Sequence, residues 1–425
     1  MLILGQGEYR CKNSIYERQG ERLKILRKIC SAVLCAAVAL FMVCSFAEGR
    51  EKAGALSLQW ESVPTDTVAV SDMLEGLTAR SAVVTEMTTG RVLFEKEPQE
   101  QCECGHYAKL MVLLLTAEKI DCGELSMSDM AVVSEYANSQ QGSQIWLDKG
   151  EKISVEELVK SVSIGNANDG CTALAEKVAG SYEEAVKLMN SRAKSLGMKD
   201  TFYTDCTGMG EGNVTTAFDT ALLCSEVAKY KNLTPYLTCW LDNVRDGKAE
   251  LVNLNRLVRT YKGITGMKAW GGEKAGSCIA ATAAKGDMSV CVVLNGCGSQ
   301  EDMNAEAKKL LELAFDTYEL YTPELPDDMV KETVVCGGEE LSVKLAADGL
   351  YPIVIPRGTY RMVECSFTAA DKLDAPIKNG DTAGKIEYTM GGEVILSGKI
   401  VACKDVKKMN FLCGIKKLVY NLLSM

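Results

Sequence analysis

Hydrophobic positions follow both strand-like and helix-like spacings between residues 81 and 321. Strand patterns occupy Ser81–Thr85, Gly90–Glu95, Gly276–Ala284 and Met288–Asn295, the last so apolar that we expect it to be buried. Helical patterns occupy Ala108–Lys119, Val155–Ile164, Cys171–Val178, Tyr182–Leu196, Thr216–Tyr230 and Asp302–Leu320. This order predicts an α/β or α+β domain in which distant parts of the chain complete one sheet.

A second, smaller domain is predicted after this region. Residues 323–328 contain two prolines and three acidic residues, a composition that disfavours both helix and strand and indicates a linker. Beyond it, short alternating segments such as Glu340–Lys344 and Tyr351–Ile355 predict a small all-β domain over residues 329–404.

The last segment, residues 405–425, has the pattern of an amphipathic helix. Its apolar residues recur at helical spacing, its opposite face is polar, and lysines outnumber acidic residues. Such a helix is suited to an anionic membrane surface, although docking on its own domain is the alternative. The apolar face consists of Phe411, Leu412, Ile415, Leu418, Val419 and Leu422.

The first 47 residues have the features of a secretion signal. Basic residues precede the apolar run Ile29–Val43, and small residues follow at Ser45 and Ala47. An uncleaved N-terminal anchor is the alternative interpretation. We expect residues 48–78 to link this segment to the first domain.

Composition limits the partners of an exported chain. Residues 1–47 hold seven basic and three acidic residues, so 40 basic and 54 acidic residues remain, a net charge of −14. Nucleic acid is therefore not expected as a partner, because phosphate binding needs a basic surface. Fourteen cysteines remain after residue 47. They could form disulfides or serve as small apolar residues, and the sequence does not decide between these.

Three short segments resemble the motifs of one enzyme family. Gly105–Met111 resembles the start of an SxxK helix, Asn166–Asp169 an SxN segment, and Gly266–Trp270 a KTG strand. Intervening stretches such as Gly142–Leu147, and Ala375–Gly380 further on, are also similar and occur in the same order. From about residue 79 onward, the chain resembles the serine D-alanyl-D-alanine carboxypeptidases, which are low-molecular-mass penicillin-binding proteins.

The resemblance implies a β-lactamase/transpeptidase-like fold of the α+β class. This fold has an antiparallel sheet with helices on both faces and a helical subdomain, which residues 79–322 would form, followed by the β domain and the membrane-associating helix. It also implies an extracytoplasmic location at the outer face of the cytoplasmic membrane and peptidoglycan stem peptide as the substrate. In the family, the SxxK serine attacks the peptide carbonyl, and the lysine one helical turn later accepts its proton.

The chain departs from the family pattern at each motif. His106 stands at the nucleophile position and Asn166 at the SxN serine, while Ala269 and Trp270 replace the threonine and glycine of KTG. The resemblance assigns the retained residues as follows: Lys109 at the proton acceptor, Asn168 at the substrate amide, and Lys268 at the substrate carboxylate.

These departures favour a pseudoenzyme that binds cell-wall stem peptide or a protein partner. Loss of the nucleophile from such a site typically lowers the rate by about a millionfold. The alternatives are an active carboxypeptidase with an altered nucleophile, such as His106, and a purely structural or regulatory scaffold. Cys102, Cys104 and His106 carry zinc-type ligands, but no second ligand cluster is evident, so neither a metal nor another cofactor is expected.

Overall fold

The computed structural model describes residues 75–327, 329, 331–411 and 414–415. The predicted signal segment, and most of the predicted tail helix, lie outside the described residues. The helices are α1 Tyr107–Asp121, α2 Glu135–Asn138, α3 Val155–Ser163, α4 Asn168–Ala179, α5 Tyr182–Ser195, α6 Ala217–Val227, α7 Thr234–Leu237, α8 Leu257–Thr260 and α9 Gln300–Thr317. None of the helices in the described part of the chain has the length and apolar character needed to span a bilayer.

The strands form a central sheet, a β domain and several small ladders. They are β1 Ser81–Glu86, β2 Val92–Lys96, β3 Cys102–Glu103, β4 Met130–Val132, β5 Lys152–Ser154, β6 Val214–Thr215, β7 Leu241–Val244, β8 Ala249–Val252, β9 Ile264–Gly272, β10 Gly276–Lys285, β11 Met288–Cys297, β12 Tyr318–Tyr321, β13 Glu332–Cys336, β14 Ser342–Asp348, β15 Ile353–Pro356, β16 Val363–Ala369, β17 Lys372–Asp374, β18 Thr382–Met390 and β19 Glu393–Ala402.

The central sheet is antiparallel, in the order β2-β1-β11-β10-β9. Side chains alternate between its two faces: Val83 belongs to one core, while Ala82 and Val84 belong to the other. The first core lies beneath the helical middle of the chain and includes most of α1. The second lies beneath α9. The prediction that the sheet is completed by distant segments, with helices on both faces, is confirmed.

The C-terminal β domain is formed by the six-stranded sheet β16-β18-β19-β14-β13-β17 and has a core of its own. The predicted helix Asp302–Leu320 is too long, because Tyr318–Tyr321 leaves the helix and pairs as β12 with β15. Residues 405–409 are also not helical, since Val406 and Lys408 form bridges to Ile377 and Gly338 of the β domain. The predicted tail helix therefore begins too early. The cysteines within the described residues form no disulfide with one another.

A buried carboxylate fixes the loop in front of the site. Asp169, in the first turn of α4, accepts backbone hydrogen bonds from Ile145 (3.1 Å), Leu147 (3.0 Å) and Gly170 (2.7 Å). Ile145 and Leu147 belong to a segment without regular structure, so the carboxylate replaces the partners that a sheet would supply to them. The loop Gly142–Leu147 is thereby tied to the helix that carries Asn168.

We expect Asp169→Asn to lower the free energy of unfolding by about 2–3 kcal/mol, because buried N–H donors would meet an amide in place of a carboxylate. Urea unfolding measures this change. Asp316→Asn is the matched control, since Asp316 is exposed on α9. Equal stability of the two variants would contradict this role of Asp169.

Candidate functional site

The N-terminus of α1 carries the residue at the nucleophile position. His106 is the N-cap of α1, and its side chain does not cap the helix. The preceding Gly105 has φ +48°, and a Cβ atom there would lie 2.4 Å from the indole ring of Trp270. A glycine is therefore required at this position both by the backbone conformation and by the close approach of the indole.

Lys109 is fully buried in the first turn of α1. Its Nζ donates a hydrogen bond to the carbonyl oxygen of Thr207, at 2.8 Å. The Thr207 turn is held by the Asp205 carboxylate, which accepts from the backbone N–H of Thr207 and of Gly208, both at 2.7 Å. Burial lowers the pKa of Lys109, because removal from water disfavours the charged amine.

Lys268, on β9, is also buried, and its ammonium is enclosed by acceptors. Its Nζ donates to the carbonyl oxygens of Val162 and Ser163 (the latter at 2.7 Å) and to Oδ1 of Asn166, at 2.7 Å. An ammonium group has three hydrogens, so all of its donors are used within the protein. Burial, and then the charge of Lys109, hold the pKa of Lys268 well below its usual range.

The turn between α3 and α4 supplies the two asparagines. Asn166 has φ +55°, a left-handed conformation that asparagine tolerates well, and its side chain faces Lys268. Asn168 opens α4 and donates from Nδ2 to the carbonyl oxygen of Gln141, at 2.6 Å. Its Oδ1 is buried and has no partner among the described residues.

Trp270 fills the space beside His106. The indole is 6% exposed, packs edge-on against Tyr107 (5.9 Å between ring centroids), and lies 6.2 Å from the imidazole of His106. Burial holds the pKa of His106 well below its usual range, and the charges of Lys109 and Lys268 lower it further. The imidazole is therefore neutral at pH 7.

Ala269 does not join the other predicted residues through its side chain. Strand alternation places its methyl group in the core under α9, with Leu257 and Ile279, on the face opposite Trp270. The structure thus brings together His106, Lys109, Asn166, Asn168, Lys268 and Trp270, and it turns the Ala269 side chain away from them.

Sequence reasoning missed the acceptors around the two lysines and one thiol. The carbonyls of Val162, Ser163 and Thr207 carry no sequence signal, because every residue has a carbonyl. Cys171 could have been found, since it follows Asn168 by three positions on α4 and so shares its face. Its Sγ donates to the carbonyl oxygen of Cys206, at 3.2 Å.

The Cys102–His106 segment shows no metal geometry. Cys102 pairs in β3 and donates to the carbonyl oxygen of Thr215, while Cys104 is fully buried. In the described part of the chain, no group of three or more His, Cys, Asp or Glu side chains is arranged to hold a metal ion.

Comparisons with known proteins agree with this architecture. The D-alanyl-D-alanine carboxypeptidase family profile matches residues 66–298, more than half of the chain. The chain belongs to this family. A profile of the C-terminal domain of penicillin-binding protein 5 matches residues 315–408.

Individual relatives of this family member cover most of its length. It is 35% identical to D-alanyl-D-alanine carboxypeptidase DacF of Bacillus subtilis, over 80% of this chain and 88% of the relative. It is 29% identical to D-alanyl-D-alanine carboxypeptidase DacC of Escherichia coli, over 78% of this chain and 85% of that relative. Penicillin-binding protein 5 from Haemophilus influenzae has a similar structure, with a TM-score of 0.70 and 25% identity over 78% of this chain and 98% of that one.

The depressed pKa of His106 predicts a pH-dependent stability. A folded pKa below the unfolded value of about 6.5 means that the unfolded chain binds the extra proton, so stability falls as pH drops below about 6.5. The slope from this group is at most about 1.4 kcal/mol per pH unit. His106→Asn should remove that part of the dependence, measured as the difference in unfolding free energy between the two proteins.

The titration can be observed directly, because His106 is the only histidine in the chain. Its imidazole NMR signals should keep their neutral shifts through pH 6.5 in the folded protein. A midpoint at or above pH 6.5 would contradict the burial and charge effects described above.

Proposed function

We propose that this chain is a non-acylating member of the carboxypeptidase family that acts at the cell wall, outside the cytoplasm, as a binding protein. The observation that carries the proposal is the indole of Trp270. It fills the space against Gly105 and beside a neutral imidazole at the nucleophile position. An imidazole thus replaces the serine hydroxyl, and the indole occupies the space beside it.

The arrangement of Lys268 supports the same conclusion. In the family, the lysine at this position attracts the substrate carboxylate. Here its three donors are engaged by Val162, Ser163 and Asn166, and the side chain is 1% exposed. A carboxylate could gain a hydrogen bond from Lys268 only if one of these contacts were broken, at a net cost for a buried acceptor.

Neither candidate substitute, His106 or Cys171, is placed to attack a substrate carbonyl. Nδ1 of His106 is buried without a partner among the described residues, so no side chain there orients the imidazole. Burial raises the pKa of the Cys171 thiol, but its hydrogen bond with Cys206 and the charges of Lys109 and Lys268 outweigh burial and hold this pKa below its ordinary value. The thiol is nevertheless fully buried and donates to the carbonyl oxygen of Cys206, so it is not presented to a substrate.

Unpaired polar atoms around the site support non-covalent binding. His106 Nδ1, Ser163 Oγ, Asn168 Oδ1 and Trp270 Nε1 are all buried and lack partners within the described residues. Most buried polar groups in proteins are paired, so such a cluster is typical of a place that a ligand or water completes. The set contains both donors and acceptors, as peptide amides require. We therefore propose stem peptide as the ligand.

The membrane tail remains part of this proposal. Residues 412–413 and 416–425 lie outside the described part of the chain. The side chain of Phe411, at the start of the predicted apolar face, is 83% exposed and so available to a membrane surface.

We expect no covalent adduct after incubation with a fluorescent penicillin, because no hydroxyl stands at the nucleophile position. DacF of Bacillus subtilis is the reference for labelling. His106→Ser should stay at least roughly a hundredfold below that reference, since Trp270 and the engaged Lys268 remain. Gel fluorescence and intact mass measure both. An adduct on the unaltered protein, mapped to His106 or Cys171, would overturn the proposal in favour of an active enzyme.

Binding of a stem pentapeptide ending in D-alanyl-D-alanine should be detectable by titration calorimetry. Asn168→Ala should weaken it roughly tenfold, because a buried hydrogen bond to the ligand amide is lost. Asn243→Ala, at an exposed position of β7, is the control and should leave affinity unchanged. Lys268→Ala is unsuitable, since it would leave three interior acceptors unpaired. Absence of binding would favour a purely structural scaffold.

A further inference from the structure

An open groove lies on the side of α4 that faces away from the remnant site. Asn168 and Cys171 face the site, whereas Glu176 and Lys177, further along the same helix, line the groove. The groove also receives residues of β4, α2 and α5, and its volume is about 1010 Å³. This is at the upper end of the range of small-molecule sites, roughly 300–1000 Å³. None of the residues assigned to the remnant site lines it.

Two tyrosines form a rigid aromatic surface in the groove. The rings of Tyr136 and Tyr182 pack with centroids 4.6 Å apart, at an angle of 64°. Tyr136 remains 47% exposed although its ring is held by this contact. A tyrosine fixed in this way loses little conformational freedom when a ligand packs on it.

A hydroxyl and a carboxylate stand beside the aromatic pair. Ser134 Oγ donates to Oε1 of Glu176 at 2.9 Å, and it also accepts the N–H of Ala137 as the N-cap of α2. These two contacts fix the Ser134 hydroxyl. The other carboxylate oxygen of Glu176, Oε2, has no hydrogen bond among the described residues. A fixed carboxylate next to an aromatic face is well suited to accept hydrogen bonds from ligand hydroxyls.

The groove is lined by equal numbers of acidic and basic residues. Glu176 and Glu183 are its acidic residues, Lys177 and Lys187 its basic ones. Lys187 is also paired with Glu184, at 2.7 Å. A polyanion or a cationic peptide would need a surface of one sign, so the groove favours a ligand that is polar but uncharged.

We propose that this groove binds a neutral oligosaccharide. A pyranose ring has an apolar face of C–H groups, which can stack on Tyr136, and hydroxyls at its rim, which can bond to Glu176 and Ser134. An extended peptide added to the edge of β4 is the other ligand to consider. However, β4 has only three residues and offers a short ladder. The proposal goes beyond the proposed function and does not depend on the remnant site.

The test is a titration of the full chain with an N-acetylglucosamine tetramer, in which calorimetry or NMR measures the affinity. Tyr136→Ala should weaken binding roughly tenfold, and Tyr136→Phe should keep it within about threefold because the ring is retained. Tyr360→Ala is the matched control: Tyr360 is 45% exposed and packs on Tyr321 at 5.0 Å, but lies in the β domain. It should leave affinity unchanged. Thermal unfolding confirms that each variant is folded.

Three results would overturn the proposal. The first is no binding of the tetramer at millimolar concentration. The second is binding that Tyr136→Ala does not weaken. The third is binding that Asn168→Ala abolishes, which would place the saccharide in the remnant site. Failure of stem-peptide binding, by contrast, would leave the groove proposal standing, so the two proposals are separately testable.

Discussion

The buried amino groups of Lys109 and Lys268 constrain the structure around them, because each needs acceptors within the protein. Transfer of a charged group into the interior is unfavourable unless hydrogen bonds compensate for lost water. The protein supplies the carbonyl of Thr207 to one lysine, and two carbonyls and the Asn166 amide oxygen to the other. The end of α3, the left-handed Asn166 and the turn held by Asp205 supply these acceptors.

Under the proposed function, this constraint explains how the family scaffold persists without the family's reaction. The lysines need their acceptors in order to be buried, whether or not a substrate is present, so the loops around the site keep their conformations. The nucleophile position carries no such requirement. A neutral imidazole is accommodated there, and the indole of Trp270 packs against Gly105 without disturbing the acceptors. The residues that maintain the loops around the site are thus different from the residue at the nucleophile position.

Much of the fold could be predicted because its signals are local. The apolar run of β11 and the helical spacing of α1 and α5 are visible in the chain itself. The fold family was implied by the resemblance of the motifs to those of a known family. Other features depend on tertiary partners. Tyr318–Tyr321 continues a helical pattern but pairs with β15, and residues 405–409 follow an amphipathic pattern but bridge to the β domain.

The site shows the same division. Its members were predictable from motif positions, but their environments were not. Lys268 was expected to present its charge to a ligand. It instead donates to two backbone carbonyls, which the sequence does not reveal, and to the side chain of Asn166. Ala269 stands at the position of the KTG threonine, but strand alternation directs its side chain to the opposite core. The groove behind α4 is formed by residues distant in sequence, so no sequence motif indicates it.

The most direct measurement of the central claim is release of D-alanine from a stem pentapeptide by an excess of the purified protein, in a single turnover, beside DacF as a working reference. We expect no release above the uncatalysed rate. Release that exceeds this rate and disappears in His106→Ala would contradict the proposed function.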